Sequence, residues 1–154
     1  MVTLYNVISS DGFIARNDGS EDFIPEDINL WQKFLDLCLE HGTLIIGRKT
    51  YDTIQEYNHI TIDSLEALPI KKIVISANKN FVPKLGYTRI SSPEDAIAQA
   101  PNALVSSGPT LNNYLLDHDF VKNIIQYKLP VSISEGIKPF YENNIDIEIR
   151  NWEK

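Results

Sequence analysis

The sequence has little cysteine, few positive charges and no long apolar run, and each shortage argues against a class of protein. Its single cysteine, Cys38, cannot form an internal disulfide, which is typical of a reducing compartment. The first residues lack the basic start and cleavage site of a signal peptide, and no apolar run approaches the roughly 20 residues that span a bilayer. We therefore expect a cytoplasmic protein with no membrane partner.

The composition also gives little support to a metal site or a nucleic-acid surface. The three histidines lie far apart, and with one cysteine they form no zinc-type ligand cluster. The chain carries 14 Lys and Arg against 21 Asp and Glu, a net charge of −7, which argues against a surface that neutralises nucleic-acid phosphates. An anionic cofactor would need a local concentration of basic residues, against the overall field.

Segments with the character of strands and helices alternate along the 154 residues, a length that fits one domain over residues 1–154. The β-branched run Val2–Ile8 predicts a buried strand, and Pro25 predicts the first turn of a helix that ends near Gly42. The alternation predicts a three-layer α/β fold, in which a central, mostly parallel sheet carries helices on both faces. Further strands are expected at Thr43–Ile46, Lys71–Ser76, Tyr87–Ile90, Ala103–Val105, Ile124–Leu129 and Ile145–Ile149, and further helices after Gly47, Ser92 and Gly108.

The residues that follow each strand are candidates for a binding site, because ligands of such sheets bind at the carboxyl ends of the strands. After the Thr43–Ile46 strand, Gly47 lets a ligand approach the backbone, and the helix start behind it attracts phosphate. Arg48 can fork onto a phosphate, Lys49 adds a point charge and Thr50 adds a hydroxyl donor. The alternative is a strand stop followed by solvated basic residues.

Two further junctions have the same character. One strand ends at Ser76 with Lys79 close behind, and we interpret it either as a contact for an adenosine ribose and its phosphate or as a plain turn. Ser106–Leu111 is interpreted either as a path for a diphosphate or nicotinamide or as a capped helix only. The G-x-G-x-x-G and G-x-x-x-x-G-K-[ST] motifs are absent, so by motif the chain is neither a standard Rossmann dehydrogenase nor a P-loop nucleotidase.

Several segments, taken in order, resemble one known family. Val2–Ala15 ends in an S-x-D-G-x-I-A turn, Leu44–Tyr51 contains Gly-Arg-Lys-Thr-Tyr, and Ile73–Ser76 is a strand that ends in serine. Val105–Leu111 is followed by a Leu-Pro-Val segment and by Glu135–Phe140. Together these segments resemble the dihydrofolate reductase superfamily. In motif style they are most similar to the reductase domain of riboflavin biosynthesis, the C-terminal domain of the bifunctional deaminase-reductase.

The resemblance implies a reductase that uses NADPH to transfer hydride to a small pterin- or pyrimidine-type heterocycle. It implies that Arg48 faces the 2′-phosphate with help from Ser76 and Lys79. The nicotinamide would do the hydride chemistry, while the protein supplies orientation and a dry pocket. The other implied cofactor residues are Gly47, Lys49, Thr50, Gly108, Pro109, Thr110 and Leu111 along the diphosphate, and Val7, Ile14 and Ala15 near the nicotinamide.

One carboxylate is a candidate for the substrate end of the implied site. Asp27, early on the helix that Pro25 is expected to begin, matches the place of the family's substrate carboxylate. There it would pair with an amidine-like edge of a pterin and raise the local proton affinity. The alternative is that Asp27 only complements the helix dipole.

Departures from the family pattern keep a second class of function open. Ser107 replaces the first of two glycines, Lys122-Asn123 replaces an acidic pair, and Ser134-Glu-Gly136 differs from the usual glycine-rich turn. The chain also ends soon after Ile145–Ile149, where the family usually adds a strand. The alternatives are a non-catalytic nucleotide-binding or scaffold protein, and an α/β domain without a nucleotide, against which the Gly47 junction argues. If the chain forms a homodimer, the edge strand Ile145–Ile149 is an expected interface.

Overall fold

The computed structural model describes residues 1–140 and 148–151, which form a layered α/β structure. Seven strands lie in one sheet, and neighbouring strands run parallel throughout. The elements are β1 (Val2–Ile8), α1 (Ile28–His41), β2 (Thr43–Gly47), α2 (Arg48–Ile54), α3 (His59–Glu66), β3 (Lys71–Ile75), β4 (Tyr87–Ile90), α4 (Pro93–Gln99), β5 (Leu104–Ser106), α5 (Pro109–Asp117), β6 (Val121–Lys128) and β7 (Glu148–Asn151). The order across the sheet is β4-β3-β2-β5-β1-β6-β7.

Helices cover both faces of this sheet, as the alternation of segments predicts. Successive residues of a strand point to opposite faces, and β2 shows the consequence. Leu44 belongs to a core cluster with Phe34 of α1 and Leu65 of α3, whereas Ile45 belongs to a second cluster with Leu115 of α5. The predicted α/β fold with a parallel sheet between two helical layers is therefore confirmed. No helix within residues 1–140 and 148–151 is long and apolar enough to cross a bilayer.

The helix that Pro25 predicts begins three residues later than expected. Asp27 is its N-cap, with extended backbone at φ −107° and ψ 116°, and its Oδ1 accepts hydrogen bonds from the N–H groups of Asn29 (2.8 Å) and Leu30 (3.3 Å). A capping carboxylate satisfies N–H groups that the first helical turn leaves unpaired, so it fixes the start at Ile28. The helix ends as predicted at Gly42, whose φ of 75° is left-handed.

Two other elements differ from the sequence-based expectation. The sequence predicts no element over the segment that forms α3, because its apolar pattern is weak. In the structure only Ile62 and Leu65 of this helix are buried, and Ile60 is 70% exposed. The predicted strand Ile145–Ile149 falls partly on residues 145–147, which lie outside the described residues. Glu148–Asn151 does form a strand, at the edge of the sheet beside β6.

Candidate functional site

The carboxyl ends of three central strands lie side by side. β2 pairs in parallel with β3 on one side and with β5 on the other. The paired segments end at Gly47 of β2, Ile75 of β3 and Ser106 of β5. The three segments that follow these residues therefore leave the sheet at one edge. These are the three junctions that the sequence analysis singled out, and the fold brings them together.

Two helices begin at this edge, α2 directly after Gly47 and α5 directly after Gly108. Neither glycine offers a side chain, and in the described part of the chain no side chain caps either helix. The first-turn N–H groups are therefore open to a ligand, and the positive end of each helix dipole favours an anion. The residues that line the two starts are Arg48, Lys49 and Thr50 of α2 and Pro109, Thr110 and Leu111 of α5; Thr110 is exposed and Leu111 is half-buried.

Gly47 and Ser107 approach each other closely between the two helix starts. A Cβ built on Gly47 would lie 3.0 Å from Oγ of Ser107, which is tighter than most Cβ contacts. The missing side chain of Gly47 therefore makes room for the Ser107 hydroxyl. That hydroxyl lies beside the start of α2, where it can donate a hydrogen bond to an anion.

Two neighbours hold the Arg48 side chain. Its Nε donates to the two carboxylate oxygens of Asp52, one turn later, at 3.1 and 3.2 Å. Its guanidinium carbon lies 3.7 Å from the centroid of the Phe81 ring. Stacking and pairing fix the plane of the guanidinium, and the side chain remains 41% exposed, so it keeps an edge open to an anion.

Ser76 and Lys79 follow β3 on the side of Arg48. Ser76 is buried; its N–H donates to the carbonyl of Ile90 at 3.0 Å, and its hydroxyl oxygen accepts from the N–H of Asn78 at 3.3 Å. The hydroxyl proton of Ser76 is then the part of the side chain that can donate to a ligand. Lys79 lies exposed in the turn beyond.

Lys49 contacts the loop between β1 and α1. A Cβ built on Gly19 would lie 2.8 Å from Nζ of Lys49, so the ammonium packs directly against the Gly19 backbone. Desolvation raises the pKa of the Glu21 carboxyl in the same loop, and the charge of Lys49 opposes that rise. Lys49 therefore links α2 to this loop, a contact that its expected role at the diphosphate did not include.

Asp11, in the turn after β1, joins two loops. Its carboxylate accepts hydrogen bonds from Oγ of Ser9 (2.6 Å), from Oγ of Ser132 (2.9 Å) and from N–H of Ser134 (2.8 Å). These hydrogen bonds, the one from Ser9 foremost, hold the pKa of Asp11 well below its usual value. Asp11 is therefore an ionised structural carboxylate and a poor proton donor.

The apolar residues expected near the nicotinamide lie beyond this turn and at the end of β1. Ile14 donates its N–H to the carbonyl of Ile137, and Ile137 donates its N–H to the carbonyl of Ala15, both at 2.8 Å. Ile14 and Ala15 are buried in a small cluster with Ile8, and Val7 is half-buried against the core on the α1 face. They provide an apolar surface at the carboxyl end of β1.

The half-buried Asp27 is placed at the start of α1 by its capping role. Both cap hydrogen bonds use Oδ1, which leaves Oδ2 outside the cap. One turn later, Trp31 donates from Nε1 to Oγ of Ser64 at 2.7 Å, and its ring packs edge-on against Tyr57 with centroids 5.8 Å apart. Neither Trp31 nor Tyr57 is among the site residues that the sequence singles out. Within the described residues, no group of three or more His, Cys, Asp or Glu side chains is placed to hold a metal ion.

Three buried amide side chains beneath the start of α5 were also missed. Asn6 of β1 and Gln126 of β6 are register partners, and Nδ2 of Asn112 on α5 lies 3.5 Å from Oδ1 of Asn6. All three residues are at most 5% exposed. Their only signal in the sequence is a polar residue inside an apolar run, and such a residue usually faces solvent from a half-exposed strand or helix.

Comparison with solved structures supports the fold. A putative riboflavin biosynthesis protein from Shewanella sp. PV-4 is similar with a TM-score of 0.70 and 20% identity, over 94% of this chain and 85% of that one. Dihydrofolate reductase from Enterococcus faecalis, complexed with NADP(H) and RAB-propyl, is similar with a TM-score of 0.67 and 18% identity, over 94% and 79%.

A third similar structure comes from Thermotoga maritima. It is a diaminohydroxyphosphoribosylaminopyrimidine deaminase/5-amino-6-(5-phosphoribosylamino)uracil reductase with a TM-score of 0.64 and 13% identity, and the match covers 94% of this chain and 49% of that one. No protein-family model and no curated protein matches the chain. The chain therefore has a dihydrofolate-reductase-like fold, as the sequence motifs predict.

Proposed function

We propose that the chain is a single-domain, NADPH-dependent reductase that transfers hydride to a small pterin- or pyrimidine-type heterocycle. The observation that carries the proposal is the pair of helix starts without side-chain caps on either side of Gly47 and Ser107. Two sets of open N–H groups with the Ser107 hydroxyl between them suit a diphosphate, and Arg48 lies at the start of one of the two helices. The NADP(H) complex of a similar structure supports this choice of cofactor.

Different residues at this edge of the sheet then contact different parts of the cofactor. Arg48 and Ser76, with Lys79, bind the 2′-phosphate. Bound NADPH supplies the hydride, and Val7, Ile14 and Ala15 keep water away from the nicotinamide. The diphosphate is held by N–H and hydroxyl groups of Gly47, Lys49, Thr50, Ser107, Gly108, Thr110 and Leu111, with Pro109 fixing the start of α5.

Cofactor binding is tested by thermal shift with NADPH and with NADH. A ligand at 100 times its dissociation constant adds about 2.7 kcal/mol to the free energy of unfolding. For a chain of 154 residues, each kcal/mol raises the melting temperature by about 2–4 °C. We expect NADPH to raise the melting temperature by roughly 5–11 °C and NADH by less. No shift with either cofactor would refute the proposal.

The 2′-phosphate role of Arg48 is tested with a matched pair of variants on α2. A charged hydrogen bond is worth about 1.5–3 kcal/mol, so Arg48→Ala should weaken NADPH by roughly 10- to 100-fold and NADH far less. Asp52→Asn breaks the same ion pair but keeps the guanidinium, and it should preserve or improve NADPH binding, since it removes a carboxylate beside the phosphate. Equal losses of NADPH and NADH in Arg48→Ala would contradict the assignment.

We propose Asp27 as the carboxylate that contacts the substrate, through the oxygen that the cap does not use. The alternative function is a non-catalytic nucleotide-binding or scaffold protein. The cap is compatible with it, because capping alone would explain why a carboxylate is present at position 27. Asp27→Asn separates the two, since asparagine also caps a helix but carries no charge. With a heterocycle whose reduction oxidises NADPH, the variant should keep its stability and lose turnover. Unchanged turnover in Asp27→Asn would remove Asp27 from the site. If the unaltered chain binds NADPH but no pterin or pyrimidine tested oxidises it, the result supports the non-catalytic alternative.

A further inference from the structure

The buried amide cluster formed by Asn6, Asn112 and Gln126 has three side-chain atoms without a hydrogen-bond partner in the described part of the chain. They are Nδ2 of Asn6, Oδ1 of Asn112 and Oε1 of Gln126. Asn6 and Gln126 are adjacent in register, two residues beyond Leu4 and Ile124, so their side chains lie on the α5 face of the sheet. Buried polar atoms are rarely unpaired in proteins, so three in one place require an explanation.

Turning over the amide groups of Asn112 or Asn6 does not pair their unpaired atoms. Nδ2 of Asn112 donates to the carbonyl of Pro139 at 3.2 Å and lies 3.5 Å from the carbonyl of Ser107. Turning this amide over would leave both carbonyls facing an oxygen. Turning Asn6 over would bring its Nδ2 against Nδ2 of Asn112, where its Oδ1 now lies at 3.5 Å. The present orientation of both amides is therefore the one that their neighbours select.

The unpaired atoms are one donor and two acceptors, which is the set that a single water molecule satisfies. A water can accept a hydrogen bond from Nδ2 of Asn6 and donate one each to Oδ1 of Asn112 and Oε1 of Gln126. Three hydrogen bonds are the usual number for a buried water. We propose that Asn6, Asn112 and Gln126 bind one internal water molecule, and that this hydrated cluster fixes the Ser107–Gly108 peptide at the start of α5.

The second half of the proposal follows from the planarity of the peptide group. The carbonyl and the N–H of one trans peptide point in opposite directions. Because the Ser107 carbonyl faces buried Asn112, the N–H of Gly108 faces away from the core, at the edge where β2 and β5 end. This step rests on the proposed function: Asn112 acts as a positioning residue, which aims the Gly108 N–H at the diphosphate of the cofactor.

The water is tested without any cofactor. A crystal structure at about 1.5 Å resolution should show a density peak within hydrogen-bonding distance of all three unpaired amide atoms. Gln126→Leu deletes the acceptor Oε1, so it should weaken or remove this peak. No peak in the unaltered chain, or an unchanged peak in the variant, overturns the water site as assigned.

The positioning role is tested by Asn112→Leu with two ligands. NADPH should bind about tenfold more weakly, whereas adenosine 2′-monophosphate, which lacks the diphosphate, should bind as it does to the unaltered chain. Leu115→Val is the control, because it alters the buried face of the same helix without touching the Ser107 carbonyl; it should lower the melting temperature and leave NADPH affinity unchanged.

The outcomes of this ligand test separate the two proposals. If Asn112→Leu does not fold, Asn112→Ser, which is smaller and keeps a donor, replaces it with the same expectation. Equal weakening of both ligands, or no weakening of NADPH, overturns the positioning role. Failure of the unaltered chain to bind NADPH would instead overturn the proposed function, and the crystallographic water would be unaffected by that result.

Discussion

Replacing Gly136 with alanine is expected to destabilise the fold by crowding the segment beside Ala15. A Cβ built on Gly136 would lie 2.3 Å from the carbonyl oxygen of Ala15, 3.0 Å from Cδ1 of Ile133 and 3.2 Å from Cβ of Phe13. The Ala15 carbonyl cannot retreat freely, because it accepts the N–H of Ile137 at 2.8 Å. The variant must therefore move backbone by about 1 Å or break this hydrogen bond.

The expected cost follows from these contacts. Forcing one extra carbon into a packed region costs about 1–3 kcal/mol, and a weakened backbone hydrogen bond adds about 1 kcal/mol. A total of roughly 2–4 kcal/mol lowers the melting temperature of a chain of this size by about 4–16 °C. The change is measured by thermal and urea unfolding of Gly136→Ala beside the unaltered protein.

Gly108→Ala is the matched control for this experiment. A Cβ at Gly108 would meet nothing within 4 Å, and the φ of Gly108 is −84°, so neither space nor backbone conformation opposes alanine. The control should change the free energy of unfolding by no more than about 0.5 kcal/mol. If Gly136→Ala is as stable as Gly108→Ala, the contact with the Ala15 carbonyl does not determine the residue at position 136, and the reasoning fails.

Three further predictions concern residues around the candidate site. Asp11→Asn should flatten the loss of stability below about pH 4. Hydrogen bonds hold the pKa of Asp11 low, so its stabilising effect is lost progressively as the pH falls from the unfolded pKa towards the lower folded one; identical acid unfolding curves would contradict this. Asp27→Ala should cost about 1 kcal/mol in urea unfolding through loss of the cap, and Asp27→Asn almost nothing; equal costs would show that capping is not the cause. Gly47→Ala should weaken NADPH binding by crowding the Ser107 hydroxyl, and adding Ser107→Gly should restore part of it, because the second change relieves the crowding but removes a hydroxyl donor. Additive losses in this double-mutant cycle would refute the contact.

The sheet and the edge at which the three junctions meet could be predicted because their signals are local. Apolar, β-branched runs such as Val2–Ile8 and Thr43–Ile46 form strands almost where the sequence indicates, since burial on both faces demands such residues. A glycine at the end of a strand, such as Gly47, indicates that another group can approach the backbone closely there, and this signal does not depend on the rest of the fold. The layered α/β arrangement followed from the alternation of strand and helix segments, whereas the order of the strands was not predicted.

The start of α1 and the amide cluster could not be predicted, because they depend on partners distant in sequence or on backbone geometry. Whether Asp27 caps the helix or lies within it is decided by the φ and ψ of one residue. Asn112 has one partner in the turn before α5 and two that are distant in sequence. These are Asn6 of β1, 106 residues away, and Pro139, 27 residues away. A single sequence shows only an asparagine in a helix, and such a residue usually faces solvent.

Ser107 illustrates why a departure from a motif has to be weighed against its spatial neighbours. As a sequence feature it counts against cofactor binding, because a side chain replaces a glycine at a place where a diphosphate is expected. In the structure the Ser107 hydroxyl lies over Gly47, which has no side chain, and the Ser107 carbonyl is directed inward to Asn112. Both polar groups of Ser107 are thus accommodated, and the hydroxyl adds a donor at the edge where α2 and α5 begin. The substitution is therefore compatible with an anion site between those helices and changes which groups would contact it.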